Sequence, residues 1–237
     1  MAPLRFAANL DWLFAERSAL PERLEAAARA GFRAAEVPWP FAWEPALLRA
    51  IADRAGLGLV LINTPPGDQD QGEKGLGAVP GRQHAFREGL ALAVKYAKVL
   101  GCQRIHLMAG RVPVGAERAA VAAEMEATFI ENLRHAADIL AQEDMVGLLE
   151  PMNSRITDPR YFLTTPRQAA AILEKVGRPN LQLQLDVFHC QIEEGNLTQN
   201  LQRYFPLIGD TVEGLGWLRL YWESRDQHQQ HQHQHRC

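Results

Sequence analysis

The feature that most constrains this chain is a regular alternation: a short apolar or β-branched run, a turn, then a longer segment with helical periodicity, repeated along the sequence. The pattern predicts strands over 5–10, 34–37, 58–63, 104–109, 146–150 and 181–187. Helices are predicted over 21–31, 44–56, 82–101, 116–144, 165–177 and 196–205. Four of these helices run out at Gly31, Gly56, Gly101 and Gly177, the residue type that most readily closes a helix. Asn196-Leu197-Thr198 has the form of a glycosylation sequon and is read as a helix start.

Strict β/α alternation implies a parallel sheet with helical crossovers, either an open doubly wound sheet or a (β/α)8 barrel. The open sheet needs a nucleotide-binding turn, and the sequence holds neither G-x-G-x-x-G after an early strand nor G-x-x-x-x-G-K-[ST]. Polar residues fall instead at the ends of successive predicted strands: Asn9, Glu36, Asn63, His106, Glu150 and Asp186. A barrel brings all of its strand C-termini to one face, so this distribution favours a barrel with a shared site.

The end of the chain limits how complete that barrel can be. Asp210-x-x-Glu213 has the form of a capping box opening a last helix through Val212, Leu215, Leu218 and Tyr221. A strand, crossover helix and next strand need on the order of 30 residues, and the stretch from Phe205 to Asp210 cannot hold them. A seventh and an eighth strand therefore cannot both fit, and 206–209 is at most a stub. The prediction is an incomplete TIM-barrel domain over residues 1–225, about six β/α units plus a C-terminal helix, interrupted between about 208 and 210. Residues 226–237, rich in Gln and His, are expected to be a disordered tail.

Composition narrows the class of partner. The chain has 237 residues and a formal charge of −3, with its basic residues scattered rather than striped, which argues against a nucleic-acid footprint. The N-terminus lacks the continuous apolar stretch of a secretion signal, and no run approaches the roughly 18 residues of a membrane span. Cys102, Cys190 and Cys237 are an odd number without C-x-x-C spacing, the pattern of reduced thiols. These features predict a cytoplasmic protein that binds neither membrane nor nucleic acid.

Two constellations can carry chemistry. Glu150 closes the apolar run Val146-Gly147-Leu148-Leu149, where a barrel would hold its carboxylate at the catalytic face, able to ligate a cation or move a proton; a solvated strand-end glutamate is the plainer alternative. Asp186 lies in an apolar strand with His189 three residues on. Burying that acid costs several kcal/mol unless it is paired or metal-bound, while an Asp capping the following loop is the competing account. His106 lies within an apolar strand, where a lone histidine is more often a hydrogen-bonded core residue than a catalytic one. Arg111, just beyond it, reads equally as a carboxylate clamp or a surface arginine. The glycine-rich segment from Asn63 to Gly81 has the length of a lid or binding loop.

The stretches FAANLDWLF, LVLINTPPGD, GLGAVPGR, RIHLMAGR, ENLRHAADILAQE, LLEPMNSRITDP and QLQLDVFHCQIEEGNL resemble the hydroxypyruvate isomerase family of xylose-isomerase-like TIM barrels, from residue 2 to about 208. GDTVEGLGWLRLYW resembles that family's C-terminal helix. The resemblance implies interconversion of hydroxypyruvate and 2-hydroxy-3-oxopropanoate through an enediol, with a small 2-oxo acid as substrate. It implies two glutamates as proton donor and acceptor, and a divalent cation, Mg2+ or Mn2+, held by Glu, Asp, Gln and Glu from the fifth to eighth strands. Glu150 matches the first catalytic and metal-binding Glu, Asp186 the metal-binding Asp, and His189 a histidine expected beside the substrate, with His106 and Arg111 as further substrate-binding candidates. The Gln and the second Glu have no counterpart, both falling in the interrupted segment. The expectation is an isomerase of impaired activity. An association protein built on the barrel remnant, or a metal-dependent enzyme of the endonuclease-IV type, are the alternatives.

Overall fold

The computed structural model describes residues 6–211. Seven strands alternate with helices: β1 (Ala7–Asn9), α1 (Leu20–Arg29), β2 (Ala34–Glu36), α2 (Pro45–Ala55), β3 (Gly58–Asn63), α3 (Gln83–Leu100), β4 (Arg104–His106), α4 (Arg118–Ala141), β5 (Val146–Leu149), α5 (Pro166–Val176), β6 (Leu181–Leu185), α6 (Val187–Glu193), α7 (Leu197–Tyr204) and β7 (Ile208–Thr211). The strands form one sheet in the order β1-β2-β3-β4-β5-β6-β7, each parallel to the next. It is a curled, incomplete TIM barrel whose edges, among the described residues, are β1 and β7.

Helix periodicity accounts for the outer layer. On α4, Met125, Phe129, Leu133, Ala136 and Leu140 recur at three- and four-residue spacing and are all buried. On α5, Thr165 caps the first turn by accepting from the Gln168 amide, and Gly177 closes the helix at φ 66°. Strand β6 reads LQLQL; Leu181, Leu183 and Leu185 join the common core, and the intervening Gln184 is buried as well.

Three expectations at the C-terminal side need correction. The sixth strand does not continue to Val187: it stops at Leu185, and the apolar pair Val187-Phe188 opens α6, with Asp186 as its cap. The stub after Phe205 is a seventh strand, β7, which hydrogen-bonds along β6 across a register shift at Leu183/Gln184. Gly209 permits this approach, since a Cβ there would collide with the Gln182 side chain. Asp210 accordingly lies in β7 rather than capping a helix. The helix expected through Tyr221 and the tail 226–237 lie outside the described residues.

The glycine-rich segment after β3 folds back on the end of β4 rather than standing free. Gly75 bridges to Ala109, Gly77 and Ala78 donate to the carbonyls of Met108 and Ala109, and Asn132 on α4 donates to the Gly77 carbonyl. Gly75 sits at φ 98° against Met108, where any side chain would clash. The loop is thereby fixed over the C-terminal ends of the central strands.

Candidate active site at the C-terminal ends of β5 and β6

Glu150, one residue past β5, and Asp186, one residue past the adjacent parallel strand β6, bring their carboxylates close together. Glu150 is buried. Asp186 does two things: its backbone begins α6, and its Oδ1 accepts from the His189 amide at 3.0 Å. That cap turns the first turn of α6 back so that the His189 ring faces the same space. One ligand-type atom from each of Glu150, Asp186 and His189 lies within 4.8 Å of the others. The expected pairing of Glu150 with Asp186 is thus brought together, and His189 joins them.

The ring of His189 has a defined tautomer. Asn153, fully buried, receives the amides of Ile156 and Thr157 at its Oδ1, which fixes its Nδ2 as the donor end. That Nδ2 donates to Thr157 Oγ1 at 2.9 Å and lies 2.8 Å from His189 Nδ1. Nδ1 is therefore the acceptor and Nε2 carries the proton, 3.9 Å from Asp186 Oδ2. Burial and the positive charge of Lys74 hold His189 below its ordinary pKa, against the opposing pull of Asp186.

His106, at the end of β4, is wholly buried, and its Nδ1 lies 3.4 Å from Glu150 Oε2. Burial pushes its pKa down to about 3, with Lys74 and His189 adding to the shift, so this contact joins a neutral imidazole to a carboxylate and is not an ion pair. Neither ring nitrogen makes a hydrogen bond among the described residues. Of the other strand-end polar residues, Asn9 donates to Glu36 at 2.9 Å across β1 and β2.

Arg111 is placed near the site but is already engaged. Its Nε donates to Asp158 at 2.7 Å and its Nη1 to the Gly72 carbonyl at 2.6 Å, which fastens the glycine-rich loop to the loop after β5. Lys74, Asn153 and Asp158 were not visible as site residues in the sequence. Their only signal there was position, in the glycine-rich loop and in the LLEPMNSRITDP stretch.

The donor set suits a hard cation. With Nε2 of His189 protonated, the oxygen donors of the group are the carboxylates of Glu150 and Asp186.

Comparison with known proteins bears on the same arrangement. Residues 24–220 match the xylose isomerase-like TIM barrel family. A human protein named as a candidate hydroxypyruvate isomerase is 59% identical over 270 residues, covering 95% of this chain and 98% of its own length. Since that alignment is longer than the chain itself, the relative carries residues that have no counterpart here. A 2-oxo-tetronate isomerase of Cupriavidus necator is 44% identical over 205 residues, covering 86% of this chain and 76% of its own. A crystal structure of a family 2 AP endonuclease from Brucella melitensis superposes with a TM-score of 0.82 at 36% identity, covering 88% of this chain and 78% of that one.

Proposed function

The chain belongs to the xylose isomerase-like TIM barrel family, and from that premise we propose that it is an isomerase of small 2-oxo acids, interconverting hydroxypyruvate and 2-hydroxy-3-oxopropanoate. The observation that carries this reading is the convergence of Glu150, Asp186 and His189 at the ends of two adjacent strands. The name of the human relative favours hydroxypyruvate, and that of the Cupriavidus relative extends the class to four-carbon 2-oxo acids.

The reaction moves one proton between neighbouring carbons. The Glu150 carboxylate takes a proton from C3, the electron pair forms the C2–C3 double bond of the enediolate, and C2 is reprotonated while the proton of the C3 hydroxyl passes to the C2 oxygen, leaving an aldehyde at C3 and a hydroxyl at C2. The Nε2–H of His189 is oriented to donate to a substrate oxygen as charge develops on it, and neutral His106 packs beside Glu150. Glu150 and Asp186 would hold a divalent cation, which when bound supplies Lewis-acid stabilisation of that oxygen charge. The second glutamate implied by the family resemblance has no counterpart, so Glu150 serves both proton steps. Loss of such a partner lowers turnover by about 10²- to 10⁴-fold.

The experiment is an isomerase assay on the full chain with hydroxypyruvate, with Mg2+ or Mn2+ and again with chelator. Slow, metal-dependent formation of the aldehyde is expected; metal-independent turnover, or none above buffer, overturns the reading. The name of the Brucella structure raises nucleic-acid chemistry as a second reading. The balanced charge of −3 speaks against it, and binding to duplex DNA that weakens steeply with salt would favour it. We place the protein in the cytoplasm on the strength of two buried cysteines outside any disulfide, Cys102 and Cys190.

A further inference from the structure

We propose that Lys74 is the carboxylate anchor of the site, the residue that makes it select an acid over a neutral sugar of the same size. The inference rests on the isomerase reading for its substrate class, and on the packing of the glycine-rich loop for its geometry.

Apart from the exposed Asp70, the other charged groups that shape this loop are spoken for among the described residues. Asp68 accepts the amides of Asp70 and Gln71. Glu73 accepts the Asp68 amide at 2.6 Å and pairs with Arg82. Arg111 is divided between Asp158 and the Gly72 carbonyl. Asp158, itself buried, is satisfied at both oxygens, by Arg111 Nε at 2.7 Å and by the Arg160 amide at 3.1 Å. Lys74 is the exception. Its side chain is only 29% exposed, yet among the described residues its ammonium has a single contact, 3.9 Å from an Asp158 oxygen that already takes the shorter bond from Arg111.

A half-buried lysine whose ammonium has no hydrogen-bonded partner among the described residues keeps its charge for an arriving anion. The adjacent Gly75, bridged to Ala109, fixes the loop beside the end of β4, three residues beyond His106. From there the Lys74 charge is felt by both His106 and His189. An acid whose reacting carbons lie against Glu150 has its carboxylate one or two bonds away, and Lys74 is the cation placed to receive it. Arg111 backs this position, since its bond to Asp158 keeps that carboxylate from claiming the ammonium.

The test is binding rather than turnover. Glycerate carries a carboxylate and hydroxyls but no carbonyl to enolise; glycerol is its neutral counterpart. By calorimetry with Mg2+ present, the wild-type chain should bind glycerate at least tenfold more tightly than glycerol. Lys74→Met should weaken glycerate about 10- to 100-fold, the range of a lost charge-assisted hydrogen bond, and leave glycerol unchanged. Lys74→Arg should restore most of the difference and shows that the position tolerates substitution. Equal glycerate affinity in Lys74→Met, equal loss of both ligands, or no saturable glycerate binding by the wild type would each overturn the assignment. Selective glycerate binding without isomerase turnover would leave Lys74 in place and remove the isomerase reading; turnover indifferent to Lys74 would do the reverse.

Discussion

Asn153 donates to His189 across 36 residues of sequence, its Nδ2 2.8 Å from the ring Nδ1, and two backbone amides at its Oδ1 leave it no other orientation. One buried amide thus decides which nitrogen of His189 carries the proton. Asn153→Asp should reverse this: a carboxylate accepts from Nδ1–H, and the Nε2 lone pair then faces Asp186. Nitrogen NMR of the imidazole should show protonated Nε2 in the wild type and protonated Nδ1 in the variant. Isomerisation should fall about tenfold or more, as the donor toward substrate is lost.

Glu150→Gln keeps the shape of the side chain and removes the base. Turnover should drop by about 10²- to 10⁴-fold, with the thermal unfolding midpoint changed little. Residual activity equal to the wild type would mean that Glu150 is not the proton acceptor.

Asp186 has two roles that different substitutions separate. Asn can still accept the His189 amide, so Asp186→Asn should retain α6 and its stability while weakening Mn2+ binding at least tenfold, read by titration calorimetry. Asp186→Ala should lose the metal as well and cost about 1 kcal/mol more from the missing cap. If both variants bind Mn2+ like the wild type, Asp186 is a cap alone.

The buried imidazole of His106 gives stability a defined pH dependence. Its folded pKa of about 3 lies below the ordinary 6.5, so between those values the unfolded chain binds the proton that the folded chain refuses. Stability is therefore fully present above pH 6.5 and lost as pH falls toward 3. His106→Gln should flatten urea-unfolding stability measured between pH 6.5 and 4, with chelator present throughout. An unchanged slope would show that carboxylates alone set the acid limb.

The parallel order, the helices and the pairing of Glu150 with Asp186 were legible because strand patterns and cap residues are local properties of the chain. The boundary at Asp186 was not: Leu185, Val187 and the residues around them read as one apolar strand, and only the side-chain cap on the His189 amide separates strand from helix. Asp210 misled for the opposite reason. It has the spacing of a helix cap, but the free side of β6 takes that segment as a strand. Lys74 and Asn153 were invisible because their meaning lies in partners 30 or more residues away, or in the lack of one.

The sequential order of β1 to β7 also has an energetic consequence. Each strand borrows its hydrogen bonds from its immediate predecessor and successor, so stability accumulates unit by unit, much as it does along a stacked repeat. Truncating such an array removes the last increment and leaves the interior terms nearly intact. Glu150 and Asp186 follow β5 and β6, strands that have a neighbour on both sides among the described residues, so their placement draws on the interior of the array and not on its edges.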